Sequence, residues 1–130
     1  MNIAVVRGTL SSEPRVRELP SGTSLAALEL TVRVEGQPTE SVPVSWFAPA
    51  PALLGRCAPG TELVVIGRVR RRFYRTGAGT SSATEVVAEH VLPPGRRARL
   101  DRLLAEVAAR LSHPDPVGSD VTPRGGSRLR

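Results

Sequence analysis

Leu63-Val64-Val65-Ile66-Gly67-Arg68-Val69-Arg70-Arg71-Arg72-Phe73-Tyr74 is the longest strand candidate in the chain. It follows the turn signal Pro59-Gly60 and ends before the Gly-containing stretch Gly77 to Ser82, which reads as a loop. Working upstream, Val42, Val44 and Trp46 alternate at period 2, as do Leu28, Leu30, Val32 and Val34, with a polar loop from Glu35 to Glu40 between the two runs. Ile3 to Leu10 is β-rich and stops at Ser11-Ser12-Glu13-Pro14, and Pro20-Ser21-Gly22 marks another turn. Downstream, Thr84 to Leu92 is the last strand, stopped by Pro93-Pro94. Five strand segments separated by turn signals within roughly 90 residues predict an all-β domain, a small five-stranded antiparallel barrel. Ala48 to Cys57 has room for one or two helical turns, with Pro49 and Pro51 limiting where they begin.

Beyond residue 93 the period changes. Leu100, Leu103, Leu104, Val107, Ala108 and Leu111 form an apolar stripe at helical spacing, and Arg102, Glu106 and Arg110 step along the opposite side in i, i+4 charge pairs. Residues 94–112 are therefore an amphipathic helix, expected to pack over residues 98–111 on its own barrel or on a sister subunit. Residues 113–130 are Pro, Gly, Ser and Arg with few apolar side chains, the composition of a disordered basic tail. The division is a barrel domain at 1–93, a helix at 94–112 and a tail at 113–130.

The 130 residues carry 18 basic and 12 acidic groups, net +6, and all 18 bases are arginine. The excess is spread as +2, +3 and +1 over the three segments. No apolar run approaches the ~20 residues of a membrane span, and no hydrophobic stretch follows Arg7 as a secretory signal would require. A cytoplasmic protein is expected. One cysteine, Cys57, excludes an internal disulfide and a multi-cysteine zinc site. Only two histidines are present, His90 within the last strand and His113 opening the tail, and no carboxylate pair stands out. Gly77 and Gly79 do not lead from a strand into a helix, so no phosphate-cradling loop is formed. Nothing here resembles an active site, and no metal or cofactor is expected.

The basic run carries more. Strand alternation sets Arg68, Arg70, Arg72 and Tyr74 on one face and Val69, Arg71 and Phe73 on the other. Three guanidinium groups leading to an aromatic ring suit a nucleic-acid strand, with arginine on phosphate and the ring stacked on a base. A solvated arginine-rich strand is the competing reading.

Several motifs resemble the bacterial single-stranded DNA-binding protein family. Gly8, Leu10, Pro14, Arg17, Leu19-Pro20-Ser21-Gly22 and the Leu28/Leu30 alternation look like that family's opening. Pro59-Gly60 with Leu63 to Val69 is similar to its fourth strand, and Thr84-Glu85-Val86-Val87-Ala88 to its last. The resemblance implies an OB-fold, a homotetramer with a dimer as the alternative, nucleoid association, and single-stranded DNA as the partner in replication, repair or recombination. It places Tyr74 and Trp46 at stacking positions and Arg70 and Arg72 at basic ones. With Arg68 the candidate interface is Trp46, Tyr74, Arg68, Arg70 and Arg72, flanked by Arg33, Phe47 and Arg75. Trp46 also continues the Val42/Val44 alternation, which would make it a core residue.

Two departures from the family pattern stand out. Val34-Glu35-Gly36 and Glu40 occupy places where the family stacks bases, which implies weaker binding per site. The chain ends Arg124-Gly125-Gly126-Ser127-Arg128-Leu129-Arg130 rather than in an acidic Pro-Phe tip, which argues against recruiting repair or replication enzymes by that route. A primosome-type dimeric OB protein, or an OB-fold that serves as a protein-interaction module, are the alternatives.

Overall fold

The computed structural model describes residues 1–116. The elements are β1 (Ala4–Leu10), β2 (Arg15–Glu18), β3 (Ser24–Val32), β4 (Glu40–Phe47), α1 (Pro51–Leu54), β5 (Glu62–Thr76), β6 (Gly79–Leu92) and α2 (Arg97–Leu111). The strand order is β1-β5-β6-β4-β3-β2, and β1 also pairs with β3 through Thr9↔Thr31 and Leu10↔Leu30. That extra pairing closes β1, β5, β6, β4 and β3 into a ring, with β2 outside it along β3. All pairs run antiparallel except β4–β6, which is parallel at Val44↔Val86 and Ser45↔Val87.

Apolar alternation fills the ring. Leu10, Leu28, Leu30, Val44, Trp46, Leu63, Val65 and Val86 point inward and form the core, and Leu53 and Leu54 of α1 pack against it. Gly8 lies where β1 crosses β3: a Cβ there would sit 2.8 Å from the Thr31 carbonyl oxygen. Gly67 faces β6 at a register shift, and its Cβ would meet the Val87 oxygen at 2.0 Å. The shift leaves Glu89 unpaired between Ala88 and His90, a bulge of the kind that bends a strand.

The first half of β5 is buried on both sides because α2 covers its outside. Ile66, Leu92 and Leu103 form a second small cluster joined by Leu100 and Val107. The rest of the predicted stripe remains open, with Leu104 37% and Leu111 64% exposed.

Three local readings change. Arg15–Glu18 is a sixth strand that the apolar pattern does not announce, since all four of its residues are exposed. Gly77 to Ser82 is not an open loop: β5 and β6 continue pairing as far as Thr76↔Gly79. Ala48 to Cys57 contains a single helical turn, started by Pro51. The tail expected at 113–130 has neither helix nor strand through residue 116, and its remainder lies outside the described residues.

Candidate nucleic-acid interface

The period-2 alternation that sends Val44 and Trp46 into the core sends Ser45 and Phe47 out onto the barrel's exterior. Register then assembles their neighbours. Arg15 pairs with Ala27 and Ala27 with Ser45, while Arg17 pairs with Leu25 and Leu25 with Phe47. On the other side, Arg70 pairs with Glu85 across β5 and β6. The result is a groove of about 370 Å³ walled by Arg15 and Arg17 at one edge and Arg72 and Glu85 at the other, with Leu25 and Ser45 in the floor.

Glu85 organises the right-hand wall. Its carboxylate is 5% exposed, and a buried charge is tolerated only when paired and hydrogen-bonded. The Ser45 hydroxyl donates to Oε1 at 2.9 Å, and Arg70 donates to Oε2 through Nε at 3.0 Å and again through a terminal guanidinium nitrogen. Arg72 Nε stands 3.8 Å from Oε1. The Arg70 guanidinium also lies over the Phe47 ring, 5.8 Å from its centroid, a cation–π arrangement. Phe47 is 36% exposed and thus presents ring surface to solvent beneath a fixed positive charge.

Past Arg71 and Thr84, β5 and β6 leave the barrel as a two-stranded arm. Phe73 and Tyr74, opposite Ser82 and Ser81, are 66% and 44% exposed. Alternation puts the two rings on opposite faces, so each face of the arm carries one aromatic. Folding gains little from such rings, because neither is covered by the core.

The predicted site residues therefore divide. Phe47, Arg68, Arg70, Arg72 and Tyr74 share the exterior face of the barrel and arm. Trp46 does not, and this is a correction: it is 6% exposed within the core, and a ring with both faces packed offers no stacking platform. Arg70 and Arg72 are engaged by Glu85, whose single negative charge offsets one of the two positive ones. Arg75 sits opposite Thr80 beside the arm's turn, on the same face as Phe73. Arg33 lines a separate groove with Arg7, Glu40 and Glu62. Sequence reasoning missed Arg15, Phe73 and Glu85 as site residues and met Arg17 only as a motif position. The Arg15-Val16-Arg17 alternation was the available signal for the first wall. Nothing local signals that Glu85 meets Ser45, forty positions away.

The arrangement offers cations, exposed rings and an open trough, chemistry that suits a flexible polyanion bearing aromatic bases. The Cys57 thiol donates to the Leu53 carbonyl at 3.3 Å, and burial pushes its pKa up, away from the thiolate a nucleophile needs. Among the described residues no three His, Cys, Asp or Glu side chains cluster as metal ligands, and no helix is long and apolar enough to cross a membrane.

Comparison with known proteins agrees with this geometry. Residues 1–93 match the single-strand binding protein family. A deletion mutant of the single-stranded DNA binding protein from Thermus aquaticus is similar, with a TM-score of 0.60 and 26% identity over 72% of this chain and 41% of that one. The SSB of Plasmodium falciparum in complex with ssDNA has a TM-score of 0.59 and 18% identity over 68% of this chain and 86% of that one, a likeness of fold. The present chain thus spans less than half of the Thermus protein. No curated protein matches it. With the family matched across the whole barrel, and the OB-fold relatives superposing on it, the chain belongs to the single-strand binding protein family.

Proposed function

We propose that the chain binds single-stranded DNA without sequence preference, protecting exposed strands in replication, repair or recombination, and performs no catalytic step. The observation that carries this is the exterior face on which Arg15, Arg17 and Arg72 border the groove beside Phe47, with Tyr74 on the arm beyond it. Arginines on both walls neutralise phosphates, and rings at two separated places receive bases, which is how single strands are held without base-edge readout. Family membership and the ssDNA-bound state of the Plasmodium relative support the same reading.

The partner set follows from the surface. Single-stranded DNA is the first partner. Self-association is the second: Val5 at 50%, Leu104 and Leu111 leave apolar side chains in water that an oligomer would cover, and we read the assembly as a tetramer. A cytoplasmic, nucleoid-associated place suits such a protein.

The test is competition. A fluorescent oligo-dT complex should be displaced by unlabelled single strands of any composition and only weakly by duplex DNA of equal length. Equal competition by duplex would show a general polyanion binder and would remove the single-strand reading.

A further inference from the structure

We infer that the single strand does not end at Phe47 but continues into a second basic groove, built between α1 and the start of α2, where Arg56, Arg96 and Arg99 take its phosphates. The inference rests on the single-strand reading of the barrel face and extends it to Arg56 and, beyond the family-matched segment 1–93, to Arg96 and Arg99.

The groove has a volume of about 460 Å³ and is walled by Phe47, Arg56, His90, Arg96 and Arg99, with an edge of Trp46 at its base. Phe47 joins it to the first groove. The ring lines the second groove directly. Its cross-strand partner Leu25 floors the first, and Arg70, bonded to Glu85 of the first groove's wall, rests over the same ring. A strand stacked on Phe47 therefore has a basic trough on either side of that base.

Charge identifies the ligand. The second groove has three arginines and one carboxylate, Glu89, among its lining residues. Among the described residues no carboxylate lies within ion-pairing distance of Arg56, Arg96, Arg97, Arg99 or Arg102; the ion pairs present involve Met1, Arg7, Arg70 and Arg72. Arg96, Arg99 and Arg102 follow at i, i+3 spacing, so their like charges sit side by side and repel. Such a cluster is at its least favourable in the free protein and gains most from a polyanion. The binding partner that already approaches Phe47 is one.

The contrast with Arg70 and Arg72 is instructive. Those two must exchange Glu85 for phosphate, whereas Arg56, Arg96 and Arg99 exchange only water and counterions. The second groove thus adds salt-sensitive affinity without adding another stacking platform.

The test uses the full chain and two dT oligomers, one of about 8 nucleotides, inside the range one OB-fold occupies, and one roughly twice that length. R96A/R99A should bind the short oligomer as the parent does. It should bind the long one several-fold more weakly, with the slope of log K against log salt reduced by about 1.4, at about 0.7 per lost phosphate contact. R96K/R99K should restore the slope, and both variants should melt as the parent does. If the parent binds both oligomers and R96A/R99A titrates identically with the long one, or loses the short one equally, the second groove is not on the path. If the parent binds neither, the single-strand reading itself has failed.

Discussion

Arg70 and Glu85 face each other across β5 and β6, and the arginine that rests over Phe47 is the one this buried carboxylate holds. The pair gives the exterior face a built-in competitor for phosphate. It also fixes the guanidinium that lies above the ring, so positive charge and exposed ring surface stand together on this face. Changing Glu85 to Gln keeps the shape and the Ser45 hydrogen bond but removes the charge. E85Q should bind oligo-dT more tightly at low salt, with a slope steeper by about 0.7 for each arginine released to phosphate. It should also lose about 1–2 kcal/mol of stability, less than a fully buried pair because Arg70 and Arg72 are 36% and 52% exposed. Salt titration and thermal melting read the two effects separately.

Neighbouring aromatics on β4 should behave oppositely. Phe47→Ala should cost about 1–3 kcal/mol in oligo-dT binding, the value of one stacked base, and leave melting nearly unchanged. Trp46→Ala should destabilise the fold by about 3–5 kcal/mol, because it empties part of the barrel core. Anisotropy titration beside a denaturant melt distinguishes a platform from a core residue.

On the arm, Tyr74→Ala should weaken oligo-dT binding several-fold or more with no change in salt slope. Its ring is exposed, so the melting temperature should hold. A loss of folding free energy as large as the loss of binding free energy would assign Tyr74 to structure.

For the opposite wall, Arg15→Ala with Arg17→Ala should lower affinity for every single-stranded sequence alike and reduce the slope by about 1.4. Both residues lie on an exposed edge strand, so secondary structure by circular dichroism should be unaffected.

Leu103→Ala should cost about 2–5 kcal/mol, because Leu103 is the buried member of the α2 stripe and packs on Ile66 and Leu92. Deleting residues 95–130 should cost at least as much folding free energy. If light scattering of that truncation also shows a smaller assembly, Leu104 and Leu111 belong to a subunit interface.

The barrel was legible because its strands alternate: Leu28/Leu30 and Val42/Val44 mark their inward faces without ambiguity, and α2 is as plain at its own period. β2 was not, since Arg15-Val16-Arg17-Glu18 has no buried face and exists only by backbone pairing with β3. The arm hid for a related reason. Gly, Ser and Thr from 77 to 82 read as loop composition, yet thirteen cross-strand pairs run along β5 and β6 to the turn. In the site, Arg68, Arg70, Arg72 and Tyr74 were visible as one face from local alternation. The role of Trp46 was assigned by position in a family pattern, and the same alternation that buries Val42 and Val44 decides against it. Glu85 was invisible as a partner, because its contacts with Ser45 and Arg70 are made by the sheet and not by spacing along the chain.

The location of the strand is the centre of the account, and photo-crosslinking measures it directly. A dT oligomer carrying bromodeoxyuridine, irradiated in complex with the full chain and digested for mass spectrometry, should yield adducts on the peptides containing Phe47 and Phe73-Tyr74. Adducts confined to the groove of Arg7, Arg33 and Glu62, or to the Leu104 side of α2, would place the strand elsewhere and contradict it.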